Sequence, residues 1–341
     1  MNYSEVLSLA REIMAPRCRM CPVCNGRACR GEVPGVGGKG TGESFIRNVE
    51  WLAGVKIVLD TIYEDKGQDI SCEFFGRRFS MPVFAAPIGG MKMNYGVDIE
   101  EGEEARRVLC GAQAAGTAAF TGDGPLDASF LEPLETIRRI GGCGVPTLKP
   151  WELSRAKDRI AQALGAGVMA LSMDIDAAGL ANMKANGCPV CAKGVAELAE
   201  LVRAAGPVPF IPKGIMSARG ALKAAEAGVY GIVVSNHGGR VLDSTQATCE
   251  VLPQIRAAVG SSVKIFVDGG IRSGSDVFKA LALGADAVLI GRPVVAASLG
   301  GGEEGVKMYF EKIAAELTET MVMTGASSLG DISAEMIRLP Q

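Results

Sequence analysis

Histidine is almost missing from this chain, whose 341 residues hold one, His237. A basic field is missing too. Lysine and arginine total 35 against 38 acidic residues, for a net charge of -3 and an isoelectric point near 5.5. The basic residues are scattered, which leaves nothing to attract polyphosphate and excludes nucleic acid as an expected partner. No apolar run is long enough for a bilayer: Val108 to Gly122 is free of charge but short and rich in glycine. Met1 to Met14 is broken by Glu5, Arg11 and Glu12, so it lacks the uninterrupted apolar core of a secretory signal. The expected setting is cytoplasmic, away from membranes. Ten cysteines there read as free thiols or metal ligands rather than disulfides.

What is present is a large apolar content, 48%, enough to bury one big core. From Met81 onward short apolar runs alternate with stretches of helical periodicity, as at Ser217 to Ala227 and Ser275 to Leu283. Eight strand candidates begin near Pro82, Gly116, Val145 and Val168, then near Val208, Gly231, Val263 and Ala287. Continuous apolar strands fit a parallel sheet buried on both faces, and eight such units predict an α/β fold, a (β/α)8 TIM barrel over residues 81–341. Residues 1–80 form a Cys/Gly-rich N-terminal extension covering the barrel, with Gly35 to Gly42 as its most flexible part.

A barrel builds its site from the loops that follow its strands. Asp174, Lys213, Ser235, His237, Asp268 and Arg292 each fall at or just past the end of an apolar run. His237 is the one neutral side chain suited to proton transfer near neutral pH, and it lies in Ser235-Asn236-His237-Gly238-Gly239-Arg240. Asp268-Gly269-Gly270-Ile271-Arg272-Ser273-Gly274 follows strand seven and opens a helix, and Gly291-Arg292-Pro293 follows strand eight. Backbone amides at such turns can cradle a phosphate.

These segments, together with Lys213-Gly214-Ile215 and Asp276 to Ala285, resemble the FMN-dependent 2-hydroxy acid oxidase and dehydrogenase family, which includes glycolate and lactate oxidases. The likeness is strong from Pro209 to the C-terminus, weak from Met81 to Asp176 and poor before Met81. It implies FMN as cofactor, a small-molecule 2-hydroxy acid as substrate, and a homo-oligomer. His237 would be the base that takes a proton from the substrate, and Arg240 would hold the substrate carboxylate. Lys213 would face the flavin N1 and C2 carbonyl, where a cation stabilises the reduced ring. Asp174 stands where the family's histidine-orienting aspartate belongs, a carboxylate that stabilises the imidazolium formed on proton abstraction. FMN contacts would come from Ala85, Ala86, Pro87, Ile88, Thr147, Ser172 and Ser235, and from Asp268, Gly269, Gly270, Arg272, Gly291 and Arg292.

The pattern departs from the family at the substrate. Lys149 stands where one tyrosine belongs, and the segment Asp174 to Ala181 lacks the arginine that would follow strand four. Either Lys149 or Lys92 replaces the missing groups, or the substrate is not a small 2-hydroxy acid. A reductase or isomerase on the same barrel, and a non-catalytic flavin electron-transfer module, are the competing readings. The electron acceptor is open. Cys18-x2-Cys21-x2-Cys24-x4-Cys29 could hold zinc or an iron-sulfur cluster, or stay as free thiols or a regulatory disulfide. Cys188-Pro-Val-Cys191 repeats Cys21 to Cys24 and could lie near the same barrel mouth.

Overall fold

A computed structural model describes residues 2–180, 183 and 186–340. Ala181, the last residue of the segment that lacks the family arginine, lies outside the described residues.

The eight expected strands are all present as one parallel sheet: β1 (Val83–Ala85), β2 (Phe120–Thr121), β3 (Val145–Leu148), β4 (Leu171–Asp174), β5 (Phe210–Ile215), β6 (Gly231–Val234), β7 (Lys264–Asp268) and β8 (Ala287–Ile290). Each pairs with its sequence neighbours, β8 pairs with β1, and a bridge from Ala85 to Ala119 closes the ring. The helices are α1 (Tyr3–Met14), α2 (Glu43–Gly54), α3 (Glu101–Ala114), α4 (Ala128–Arg139), α5 (Leu153–Gly165), α6 (Val195–Ala205), α7 (Ala218–Glu226), α8 (Thr248–Val259), α9 (Gly274–Ala282) and α10 (Arg292–Val322). Ser217 and Ser273 cap α7 and α9 by accepting backbone N–H bonds from Gly220 and Asp276, so both helices begin where a serine closes the preceding turn. No helix among the described residues is long and apolar enough to cross a membrane.

The barrel interior is filled by Phe84, Phe120, Phe266, Ile211, Val233 and Leu289. A hairpin, Cys72–Phe74 with Arg77–Phe79, immediately precedes β1 and plugs the N-terminal end. Phe79 meets Phe84 edge-on at 5.1 Å between centroids, and Phe74 packs on Phe266 at 5.2 Å. With that end sealed, chemistry is left to the opposite mouth.

Residues 2–80 reach that mouth as well as the base. α1 lies along α10, and α2 packs beside the loop that carries His237. The glycine run expected to be the most flexible is tied down: Lys39 N–H donates to the Gly239 carbonyl at 2.8 Å and Thr41 N–H to Asp243 Oδ2 at 2.6 Å.

Candidate active site

The C-terminal mouth of the barrel opens into a cleft of about 1200 Å³, its solvent-open part included. Adjacent strands set its floor. Asp174 on β4 is in register with Lys213 on β5, and Thr147 on β3 with Ser172 on β4. Lys213 Nζ, almost wholly buried, lies 3.0 Å from Asp174 Oδ1 and 3.6 Å from Asp268 Oδ2. Burial alone would lower its pKa, but Asp174, Asp268 and Asp176 outweigh burial and raise it, so the ammonium persists. Burial would likewise raise the Asp174 pKa, yet Lys149 and Lys213 together hold it far below the usual carboxylate range. Asp268 shifts the other way, because burial there exceeds the pull of Lys213.

His237 follows β6 in a left-handed conformation, φ 57, and the next two residues, Gly238 and Gly239, share it. Only glycine adopts that region without strain, so the histidine needs outside support. Its N–H donates to Ser235 Oγ at 3.0 Å, and Asn236 holds the turn by accepting the Gly239 N–H at 3.2 Å. Asn236 is fixed in turn by Asn48 on α2, at 2.8 Å. A Cβ on Gly239 would stand 2.5 Å from Phe45 N, so this glycine is what lets α2 close over the loop.

One expectation is corrected here. Asp174 is not the partner of the histidine: its Oδ1 lies 3.9 Å from His237 Nδ1, whereas Asp176 Oδ1 lies at 3.0 Å. The reason is competition. Both oxygens of Asp174 already face ammonium groups, Lys149 Nζ at 2.7 Å and Lys213 Nζ at 3.0 Å. Asp174, Asp176 and His237 are the only three metal-type ligands among the described residues whose donor atoms all lie within 4.8 Å.

Lys92 is the second correction. It is exposed, pairs with Asp98 at 3.0 Å and takes no part in lining the cleft, although its neighbours Met93, Asn94 and Tyr95 do. Lys149 does line the cleft, but its ammonium is held by Asp174 and its backbone N–H donates to Asp123 Oδ2 at 3.0 Å. Asp123 also accepts the Trp151 indole N–H at 2.6 Å. The sequence reading missed Asp123, Asp176, Asn48 and Phe45. A second acid two positions after Asp174 was the one available signal.

The remaining expected residues gather at the same mouth. Arg240 lines the cleft, donating to the Gly35 carbonyl and to Asn94 Oδ1, and burial together with Arg292 lowers its pKa to about 10, so it stays charged. Arg272 donates to the Cys24 carbonyl from Nε at 3.2 Å and from Nη2 at 3.1 Å. Arg292 donates to the Val36 carbonyl at 2.7 Å and stacks on the Phe45 ring at 3.8 Å. Ala86, Pro87, Ile88, Gly269, Gly270 and Gly291 line the cleft, with Ala85, Thr147, Ser172 and Ser235 buried at strand ends behind it.

Two observations fit a flat polar cofactor. Among the described residues the buried hydroxyls of Thr147 and Ser172 have no hydrogen-bond partner, which leaves them available to a bound polar group. A Cβ on Gly291 would meet only Ile88 Cδ1 at 3.5 Å and Ala86 Cβ at 3.7 Å, so it would project into open cleft at the start of α10, where N–H groups favour an anion.

An imidazole able to take one proton, beside a fixed cation able to balance charge on a reduced ring, is the equipment of a barrel oxidoreductase. Comparison with known proteins agrees. The model of the FMN-dependent dehydrogenase family matches residues 36–188 and 192–339, and the chain belongs to that family. A 4-hydroxymandelate oxidase from Amycolatopsis orientalis is 34% identical over 343 aligned residues, covering 89% of this chain and 94% of that protein. An L-lactate oxidase from Roseobacter sp. (strain GAI101) is 43% identical over 152 residues, 45% of this chain and 41% of the relative. A crystal structure of mandelate oxidase with 3,3-difluoro-2-hydroxy-3-phenylpropionic acid superposes with a TM-score of 0.81 at 30% identity, covering 100% of this chain and 99% of that one. The family match begins at Val36, well inside the segment where the sequence showed little likeness. Val36 is also the residue whose carbonyl accepts from Arg292 Nε.

Proposed function

We propose that this FMN-dependent oxidoreductase oxidises a 2-hydroxy acid with an apolar side chain to the 2-oxo acid. The observation that carries the reading is the contact of 3.0 Å between Asp176 Oδ1 and His237 Nδ1, which leaves Nε2 as the proton acceptor toward the cleft. Arg240, in the same cleft, binds the substrate carboxylate. FMN, when bound, supplies the acceptor for the substrate hydride or its equivalent. Lys213 would hold its N1 and C2 carbonyl edge, Thr147 and Ser172 its ring, and Arg272, Arg292 and the Gly269, Gly270 and Gly291 amides its phosphate.

The substrate proton passes to His237 Nε2, and Asp176 stabilises the imidazolium that results. Substrate preference follows from what surrounds the base. Met93, Pro125, Leu180 and Met183 line the cleft, while Lys149 is pinned to Asp174 and offers no free hydroxyl in place of the family's tyrosine. An aryl or large alkyl group on C2 suits these walls better than hydrogen does. The named activities of the 4-hydroxymandelate and mandelate oxidase relatives support the same choice.

The test is anaerobic mixing of the FMN-loaded protein with mandelate, lactate and glycolate. Bleaching of the flavin band is expected, fastest with mandelate, and is expected to vanish in His237→Ala with FMN still bound. No bleaching by any hydroxy acid, together with reduction by a nicotinamide donor, would overturn the reading in favour of a reductase.

A further inference from the structure

The cysteine segment is not explained by 2-hydroxy acid oxidation. Residues 18–29 run between α1 and α2 without helix or strand, and Cys18, Cys21, Cys24 and Cys29 are all partly buried free thiols. Cys18 and Cys29 pack against one apolar cluster that includes Met14, Val36, Met91 and Tyr95. Cys18 lies within electrostatic reach of Cys21 and Cys24, and Cys29 within reach of Cys18 and Cys24. The chain is held in this path, since Gly31 N–H donates to the Gly38 carbonyl at 2.9 Å and Gly37 packs directly on the Cys29 carbonyl.

Burial raises the pKa of Cys18 and Cys29, so these thiols become thiolates on binding a metal, and two cations are built in beside the patch. Arg272 grips the Cys24 carbonyl and places Nη2 3.7 Å from Cys24 Sγ. Arg292 faces Cys18, Cys24 and Cys29. Both arginines also line the cleft, so the cysteine patch abuts the end of the FMN site that follows β7 and β8.

Spacing decides what the patch can hold. Sulfurs bound to one zinc at about 2.3 Å stand roughly 3.8 Å from one another. No three of these thiols have sulfurs within 4.8 Å of one another. A cluster spreads its ligands further, because each sulfur binds a different iron, and two of the three intervals match the C-x2-C-x2-C start of the ferredoxin run. We propose that Cys18, Cys21, Cys24 and Cys29 ligate a four-iron iron-sulfur cluster against the arginine end of the FMN site. Such a centre takes up and releases single electrons, which suits the enzyme to a one-electron carrier protein as acceptor. Cys188 and Cys191 are not part of it. Cys191 N–H donates to the Pro150 carbonyl after β3, on the side of the barrel opposite β7.

The full chain, produced and purified without oxygen and then reconstituted with ferrous iron and sulfide, tests this directly. About four irons and four acid-labile sulfides per chain are expected, with a paramagnetic signal on dithionite reduction. Cys24→Ser and Cys29→Ser should each lose that signal while retaining FMN, and Cys191→Ser should keep it. Zinc without sulfide, two irons per chain, or FMN-loaded protein with no iron after reconstitution overturns the cluster and leaves the proposed function standing. Iron and sulfide in full with no FMN bound overturns the proposed function and leaves the cluster.

Discussion

Replacing Asp176 by asparagine removes the charge but keeps the shape of the group 3.0 Å from His237 Nδ1. A hydrogen bond to a charged partner contributes roughly 1.5–3 kcal/mol. This one gains its full strength only when the imidazole is charged, after the substrate proton has moved. At about 1.4 kcal/mol per tenfold, the expected loss in the rate of flavin bleaching at subsaturating substrate is roughly 10- to 150-fold. FMN binding and melting temperature should change little, because among the described residues the Asp176 carboxylate makes no side-chain hydrogen bond or ion pair other than that to His237, and its effect on Lys213 is secondary to those of Asp174 and Asp268. Asp174→Asn is the contrasting variant. It leaves Lys213 and Lys149, whose side chains are 3% and 8% exposed, facing a neutral amide. Breaking a buried pair in this way costs about 3–5 kcal/mol of stability, or roughly 4–7 °C in Tm for a chain of this size. The assay is stopped-flow bleaching under anaerobic conditions, with FMN content and Tm measured on the same samples. Should Asp176→Asn bleach within twofold of the parent while Asp174→Asn bleaches slowly without melting earlier, the histidine belongs to Asp174 and the reasoning fails.

Lys149→Met removes one of the two cations on Asp174 and is expected to cost about 1–3 kcal/mol in urea unfolding, with a smaller effect on bleaching than Asp176→Asn; a collapse of rate at unchanged stability would place Lys149 in the substrate grip instead. Burial raises the pKa of Glu104 from 4.5 to about 7 against the opposing Ser298 hydrogen bond. A carboxyl raised on folding is neutral at no penalty below its unfolded value and opposes folding as it ionises, so its destabilisation is absent below pH 4.5 and complete above pH 7. The stability of Glu104→Gln relative to the parent should therefore improve by up to roughly 3 kcal/mol between pH 4.5 and 8 in denaturant titrations; a pH-independent difference would refute this. Gly291→Ala meets only ordinary contacts within the protein, so it should melt like the parent yet bind FMN at least about tenfold more weakly by fluorescence titration, and unchanged affinity would remove that turn from the phosphate cradle.

Much of the barrel was legible because a parallel sheet covered on both faces writes itself as continuous apolar runs. β3, β6 and β8 begin and end where those runs do. β2 was not: the run from Gly116 yields a strand only at Phe120–Thr121, since Gly116 turns with φ 77 and the Thr117 hydroxyl is spent on the Val83 carbonyl. His237, Lys213 and Arg240 were legible from strand ends, a local signal. Asn48 and Phe45 were not, because they act on the His237 loop from α2, 188 residues away in the case of Asn48 and Asn236. No local pattern announces such a partner. Asp176 fell between the two cases: it was visible in the sequence, but choosing it over Asp174 required knowing where the ammonium group of Lys149 goes.

Lys149 and Asp176 are therefore better understood as one change than as two. A lysine placed at the end of β3 needs a buried counter-ion, and Asp174, in register with Lys213 on the next strand, supplies it. The histidine is then left to a second acid, which must come in over β5. It can do so only because residue 214 is glycine: φ is 105 there, the ladder to β6 is irregular, and a Cβ would stand 2.6 Å from Asp176 Cβ and Cγ. Gly214→Ala should thus push the carboxylate away from His237 and reproduce the slow bleaching of Asp176→Asn, and adding Asp176→Asn to it should slow the reaction little further. If the two substitutions instead multiply in full, Gly214 acts on the flavin side through Lys213, and the accommodation of Asp176 by this glycine is not what keeps the base in place.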